Sequence, residues 1–100
     1  MAKVNHIVLL KFKSGVSSET IEGLFNEVLE MTENIPGIEN YSAGTNNSPE
    51  GLSQGYTHAL LMTFTDAAAR DAYLPHPEHE RIRTLLLTEV DGVAVFDYEV

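Results

Sequence analysis

The sequence predicts an α+β domain: a ferredoxin-like β-α-β-β-α-β protomer built on one four-stranded antiparallel sheet. Three observations lead there. Residues 4–13 and 56–65 alternate with the period of a strand yet are apolar on both faces, as central strands covered on both sides are. Each is followed by apolar residues at helical spacing. Each helical stretch then stops and gives way to a weaker strand pattern, so the chain falls into two β-α-β halves.

Taken in order, residues 4–13 place Val4, His6, Val8, Leu10 and Phe12 on one face and Asn5, Ile7, Leu9, Lys11 and Lys13 on the other. Ser14-Gly15 ends the strand. Ser17 or Ser18 caps a helix, with Glu19 in its first turn. Ile21, Leu24, Phe25, Val28, Leu29 and Ile35 form its apolar stripe, and Pro36-Gly37 stops it. Residues 38–45 read as a weaker strand and residues 44–55 as a loop rich in Asn, Ser, Pro and Gly. In the second strong strand Tyr56, His58, Leu60, Met62 and Phe64 share a face. Asp66 caps a short helix over 67–74, which Pro75 ends. Pro77 opens another helix running to about residue 88, with Ile82, Leu85 and Leu86 inward. Asp91-Gly92 turns the chain into a last strand, 93–100.

Composition narrows the function. One hundred residues make a single domain, 1–100, that folds alone with a thin margin. The net charge of −9, from 15 acidic and 6 basic residues, argues against nucleic acid and against anionic membrane surfaces, both of which need Lys and Arg. The absence of cysteine excludes disulfides, thiolate nucleophiles and Cys-based zinc sites. The N-terminus lacks the apolar core of a signal peptide, and no run reaches the ~18 apolar residues of a membrane span, so the cytoplasm is the expected compartment.

In this topology the helices cover one face of the sheet. Ile7, Leu9, Ala59, Leu61, Ala94 and Phe96 lie on the other. A patch of that kind conflicts with the usual limits on exposed apolar area. A second copy packed sheet to sheet resolves the conflict, so a homodimer is expected.

Four histidines carry the chemistry the chain offers. Strand parity puts His6, Val8, Leu10, His58, Leu60, Met62, Val95 and Asp97 on the helix-facing side. His6 and Asp97 fall at the same end, where the carboxylate can hold one tautomer of the imidazole. His58 falls at the opposite end. Tyr73 ends the short helix and His79 begins the next, so a phenol and an imidazole flank a helix break. His76 and His79 are three residues apart, but Arg83 stands where a zinc-protease signature would continue, and no carboxylate set completes a metal site. No metal and no cofactor are expected.

The segments His6-Ile7-Val8-Leu9-Leu10-Lys11-Phe12-Lys13, Gly55-Tyr56-Thr57-His58, Tyr73 with His76-Pro77-Glu78-His79, and Phe96-Asp97-Tyr98 together resemble the stress-responsive dimeric α/β-barrel family, Dabb. The resemblance implies a ferredoxin-like protomer and a dimer whose two sheets form a barrel. The family includes proteins described only as stress-responsive. It also includes a plant polyketide cyclase that closes a ring by intramolecular aldol condensation. In that cyclase a Tyr and a His at the positions of Tyr73 and His79 carry the reaction, with a His at the position of His6 nearby. The chain departs from it at Val28, where the cyclase has a tyrosine, and at Pro75, which replaces an apolar residue.

Two functional classes follow. The enzyme reading is a cofactor-free, proton-transfer cyclase or lyase acting on a small apolar carbonyl compound. His79 is its base, Tyr73 its hydrogen-bond donor to the enolate, and His6, oriented by Asp97, positions substrate or relays the proton. Val8, Leu10, Phe25, Leu60 and Met62 would wall the pocket. The other reading is a non-enzymatic dimer with a binding or protective role. A related barrel with haem or oxygenase activity would need His6 or His79 as axial ligand, and no further signature accompanies them.

Overall fold

The computed structural model describes residues 2–100. Its elements are β1 (Val4–Phe12), α1 (Ser18–Asn34), β2 (Ile38–Thr45), β3 (His58–Phe64), α2 (Ala67–Tyr73), α3 (Pro77–Leu87) and β4 (Val90–Glu99). The strands form one antiparallel sheet in the order β2-β3-β1-β4, with the two most apolar strands at its centre. This is the ferredoxin-like fold.

Local chemistry explains the boundaries. The Ser17 hydroxyl accepts from the Thr20 amide, so Ser17 is the cap of α1. The helix ends at Ile35, and Gly37 follows with φ +92°. Asp66 caps α2 through the Ala69 amide at 2.8 Å. The α1 stripe differs from expectation at two places. Met31 is buried within it, while Leu29 lies 45% exposed. On α3, Ile82 and Leu86 face the core but Leu85 turns outward.

Asp91-Gly92 does not turn the chain. Both residues belong to β4, and Gly92 pairs with Lys11 beside a register shift between Lys11 and Phe12. A Cβ on Gly92 would approach the Lys11 stem at 3.2 Å, so the glycine marks a bulge with a close side-chain crossing. The reversal instead falls at residues 88–89, where the Lys13 amide donates to the Glu89 carbonyl and the Lys13 ammonium to the Thr88 carbonyl. β3 also starts later than the alternation suggests, at His58. Tyr56 is held in the preceding turn by its amide bond to the Ser53 carbonyl, and its ring lies under the Lys11 ammonium at 4.6 Å.

The core sits between the sheet and α1 and α3. Phe64, Leu10, Met31, Met62, Ile82, Val4 and Val28 are its fully buried members. On the far face, the register places Leu61, Ile7 and Phe96 in one row and Ala59, Leu9 and Ala94 in the next. No element of the described chain covers them, and Phe96 is 67% exposed.

Two glycines separate backbone demand from side-chain crowding. Gly37 has positive φ, and a Cβ there would lie 2.6 Å from the Ala69 Cβ. Gly37→Ala is expected to cost about 3 kcal/mol in urea unfolding, combining left-handed strain with a clash against packed helix α2. Gly92→Ala meets only a flexible lysine stem and is expected to cost under about 1 kcal/mol.

Candidate functional site

A histidine on the buried face of a central strand needs a partner, because an unpaired polar ring inside a core is costly. His6 is 5% exposed. Its register partner on β4 is Asp97, and His6 Nδ1–H donates to Asp97 Oδ1 at 2.7 Å. The other Asp97 oxygen accepts from Arg70 Nη1 of α2 at 2.8 Å. Arg70 Nε in turn donates to Asp71 at 2.8 Å. A carboxylate held on both oxygens fixes the His6 tautomer, with the proton on Nδ1 and the lone pair on Nε2. Arg70 was not singled out by the sequence reading. Its position three residues before Tyr73 carries no motif, and its role appears only when α2 packs beside the end of β4.

The helix break supplies the rest. In a continuous helix the Tyr73 carbonyl would accept from residue 77 and the Leu74 carbonyl from the Glu78 amide. Pro77 has no N–H, and the chain has turned. The His76 amide takes the Tyr73 carbonyl at 3.0 Å. The Glu78 amide donates to His76 Nδ1 at 3.1 Å, making His76 the cap of α3. The Leu74 carbonyl accepts from His79 Nδ1–H at 2.8 Å. The two histidines of the box therefore hold opposite tautomers. His76 accepts through Nδ1; His79 donates through it and keeps its basic lone pair on Nε2.

Tyr73 is 3% exposed and stacks on His79 with ring centroids 4.2 Å apart and planes tilted by 37°. It meets His6 edge-on at 5.9 Å and Phe64 at 5.1 Å. Among the described residues no protein group hydrogen-bonds its hydroxyl, yet no buried side-chain oxygen lacks a partner, so the hydroxyl keeps some accessible surface. Burial, and then the Asp97 carboxylate, push the phenol above its ordinary value, which keeps it a donor at neutral pH. Burial pushes His79 below the usual imidazole value. The Leu74 carbonyl and Glu80 oppose that shift; His6 and Arg83 add to it.

These groups meet in a cavity of about 200 Å³ between the sheet and α3. His6, Tyr73 and His79 share it with Val8, Leu10, Leu60 and Met62. α1 adds Val28 and Met31, and the β4 lip adds Val93 and Val95. Phe25 does not line it. Its ring packs on Phe12 at 6.2 Å and His58 at 5.9 Å, at the opposite end of the sheet. Helical spacing put Phe25 on the buried stripe, but three residues separate it from Val28, so it sits nearly a turn away along the axis. His58 lies where parity put it, with its ring lowered in pKa by burial and its Nδ1 2.8 Å from the Thr57 hydroxyl. Among the described residues no three of His, Asp and Glu converge to hold a metal ion. Among the described residues no helix is long and apolar enough to cross a membrane.

A two-layer α+β protomer with an imidazole- and phenol-lined cavity between its layers is the class that fold and site define. The chain belongs to the stress-responsive A/B barrel domain family, whose model matches residues 4–100. A stress-response A/B barrel domain-containing protein of Arabidopsis thaliana is 38% identical over 96 residues, covering 96% of this chain and 88% of that one. Olivetolic acid cyclase of Cannabis sativa is 25% identical over 95 residues, covering 95% and 94%. A solved structure of a dimeric ferredoxin-like protein of unknown function from Jannaschia superposes with a TM-score of 0.88 at 31% identity, covering 98% and 99%.

The lowered His79 value has a consequence for stability. Between that value and the ordinary ~6.5 the unfolded chain binds a proton that the folded chain refuses. Stability from this group is thus complete above about pH 6.5 and is lost as pH falls through the folded value. Urea midpoints measured from neutral pH downward should fall less steeply for His79→Gln than for wild type; equal slopes would place the proton uptake elsewhere.

Proposed function

We propose that the chain is a cofactor-free enzyme of cyclase or lyase type that moves a proton on a small, largely apolar carbonyl compound. The observation that carries this reading is the pairing of a neutral His79, with its lone pair on Nε2, and a protonated Tyr73 on one cavity wall. His79 Nε2 takes the proton next to the carbonyl. The C–H electron pair moves into the enolate, and the Tyr73 hydroxyl donates to its oxygen as charge develops. The imidazolium then returns the proton to the new carbon or oxygen centre. His6, fixed by Asp97 and Arg70, offers Nε2 as an acceptor that orients the substrate. Similarity to olivetolic acid cyclase supports the reaction class. The cavity is smaller than the ~300–1,000 Å³ usual for ligand sites, which favours a short substrate or one that protrudes past β4.

The test is proton exchange, which requires no knowledge of the product. Short methyl ketones in heavy water are followed by NMR for loss of the hydrogens next to the carbonyl. Wild type should catalyse the exchange, with an acid limb whose midpoint lies below about pH 6.5. His79→Ala should slow it about 10²–10³-fold, and Tyr73→Phe by a smaller but clear factor. An undiminished rate in His79→Ala would assign the base elsewhere. No exchange by wild type would favour the non-enzymatic binding role.

The active form in this proposal is a homodimer closed by the uncovered sheet faces. A solved relative is described as dimeric, and the two rows around Ile7 and Leu9 form a flat apolar surface with no other cover in the described chain. Phe96→Glu places a charge at the most exposed point of that surface. Sedimentation equilibrium should show a dimer for wild type and a folded monomer for this variant; an unchanged mass would move the interface off the sheet.

A further inference from the structure

Arg83 stands one turn after His79 on α3 and lines the same cavity. It is the odd cation of the chain. Lys3 pairs with Glu39, and Arg81 with Glu27 and Glu78. Arg70 holds Asp71 and Asp97. Lys13 donates to a carbonyl and Lys11 lies over an aromatic ring. Among the described residues Arg83 alone of the six Lys and Arg side chains has no hydrogen bond, ion pair or aromatic face. The remaining lining is apolar apart from His6, Tyr73 and His79. Its charge reaches the site, since it is one of the groups that disfavour the protonated form of His79.

We infer that the compound bound in this cavity is an amphipathic acid, a carbonyl compound whose carboxylate is held by the Arg83 guanidinium while its apolar part lies against Val8, Leu60 and Val95. The inference rests on the proposed function and names its substrate class. A guanidinium matches a carboxylate through two parallel hydrogen bonds. Four residues of helix separate Arg83 from His79 by about 6 Å along the axis, so one small molecule spans both. The anchored carboxylate would set which carbon faces His79 and which oxygen faces Tyr73. The net charge of −9 does not forbid an anion here. Charges beyond a Debye length of about 8 Å are largely screened, so the distant acidic residues add little; Glu80 is the one acidic group that acts on His79 alongside Arg83.

Hexanoate and hexanamide separate the contributions of charge and chain. Each is titrated into isotope-labelled wild type and Arg83→Gln at neutral pH, and the shifts of cavity-lining amides are followed by NMR. Wild type should bind hexanoate about tenfold more tightly than hexanamide. Arg83→Gln should abolish that preference while leaving the affinity for hexanamide unchanged, and added salt should weaken only hexanoate. Arg83 is exposed, so the variant keeps the fold. Equal affinities in wild type, or a preference that survives Arg83→Gln, overturn the inference and leave the cavity as a binding site. Failure of both compounds to perturb the cavity overturns the binding site as well.

Discussion

His6 sits on the core face of the central strand, 5% exposed, where a polar ring is tolerated only if it is hydrogen-bonded. Satisfying it constrains three other elements. β4 must pair with β1 in the register that sets Asp97 opposite His6. A slip of one residue would turn Asp97 to the far face and strand the imidazole. α2 must then dock so that Arg70 reaches the second Asp97 oxygen. Once α2 is there, Tyr73 at its end lies edge-on to the same His6 ring. The edge strand, the short helix and the phenol are thus positioned by the two hydrogen bonds that Asp97 makes, to His6 and to Arg70. The bulge at Lys11 and Phe12 lies at the other end of β4, where register can shift without disturbing Asp97.

The domain is also thin. It measures 39 × 30 × 17 Å, and the shortest dimension holds one sheet and one layer of helices. A chain of this length builds its core on one side of the sheet only. The opposite side still carries Ile7 and Leu9 of β1 and Leu61 of β3, because those strands are apolar on both faces, and Phe96 of β4 beside them. Those residues make no sense as solvent-facing positions of an antiparallel sheet, which normally alternate to polar. Dimerisation through them would bury the second face and leave the His–Tyr cavity, on the helix side, untouched. The uncovered apolar surface and the cavity use opposite faces of the same two strands.

Much of this was legible in the sequence, and the reasons are specific. Period-two alternation put His6 and Asp97 on one face and at one end of the sheet, because parity and antiparallel order are geometric consequences of strand pairing. It put His58 at the other end for the same reason. Helical spacing was less informative. It placed Phe25 on the buried stripe of α1 but could not say at what height, and height decided that it packs with Phe12 and His58 instead of the cavity. Asp91-Gly92 looked like a turn because the dipeptide favours one, yet the ladder to Lys11 absorbed it as a bulge. Arg70 and Arg83 were hidden for a different reason. A charged residue on a helix is usually solvated, and only the reach of Arg70 to Asp97 on β4, or the run of α3 along the cavity, distinguishes these two from the rest.

The break between α2 and α3 is where backbone accounting becomes chemistry. Two prolines, Pro75 and Pro77, remove two amides and end one helix just before another begins. That leaves the Leu74 carbonyl and the Glu78 amide without helical partners, and each is taken by the imidazole of a nearby histidine. The requirement is purely structural, since orphaned helix-end groups must be satisfied. Its result is that His76 and His79, three residues apart, are held in opposite tautomers. In His79 the lone pair falls on Nε2, beside a phenol that burial keeps protonated. Replacing Pro75 or Pro77 by a residue that let the helix continue would return the Leu74 carbonyl to the Glu78 amide. His79 would then lose the bond that fixes its basic nitrogen even though its side chain was unaltered. The free Nε2 of His79 is a property of the interrupted helix as much as of the histidine.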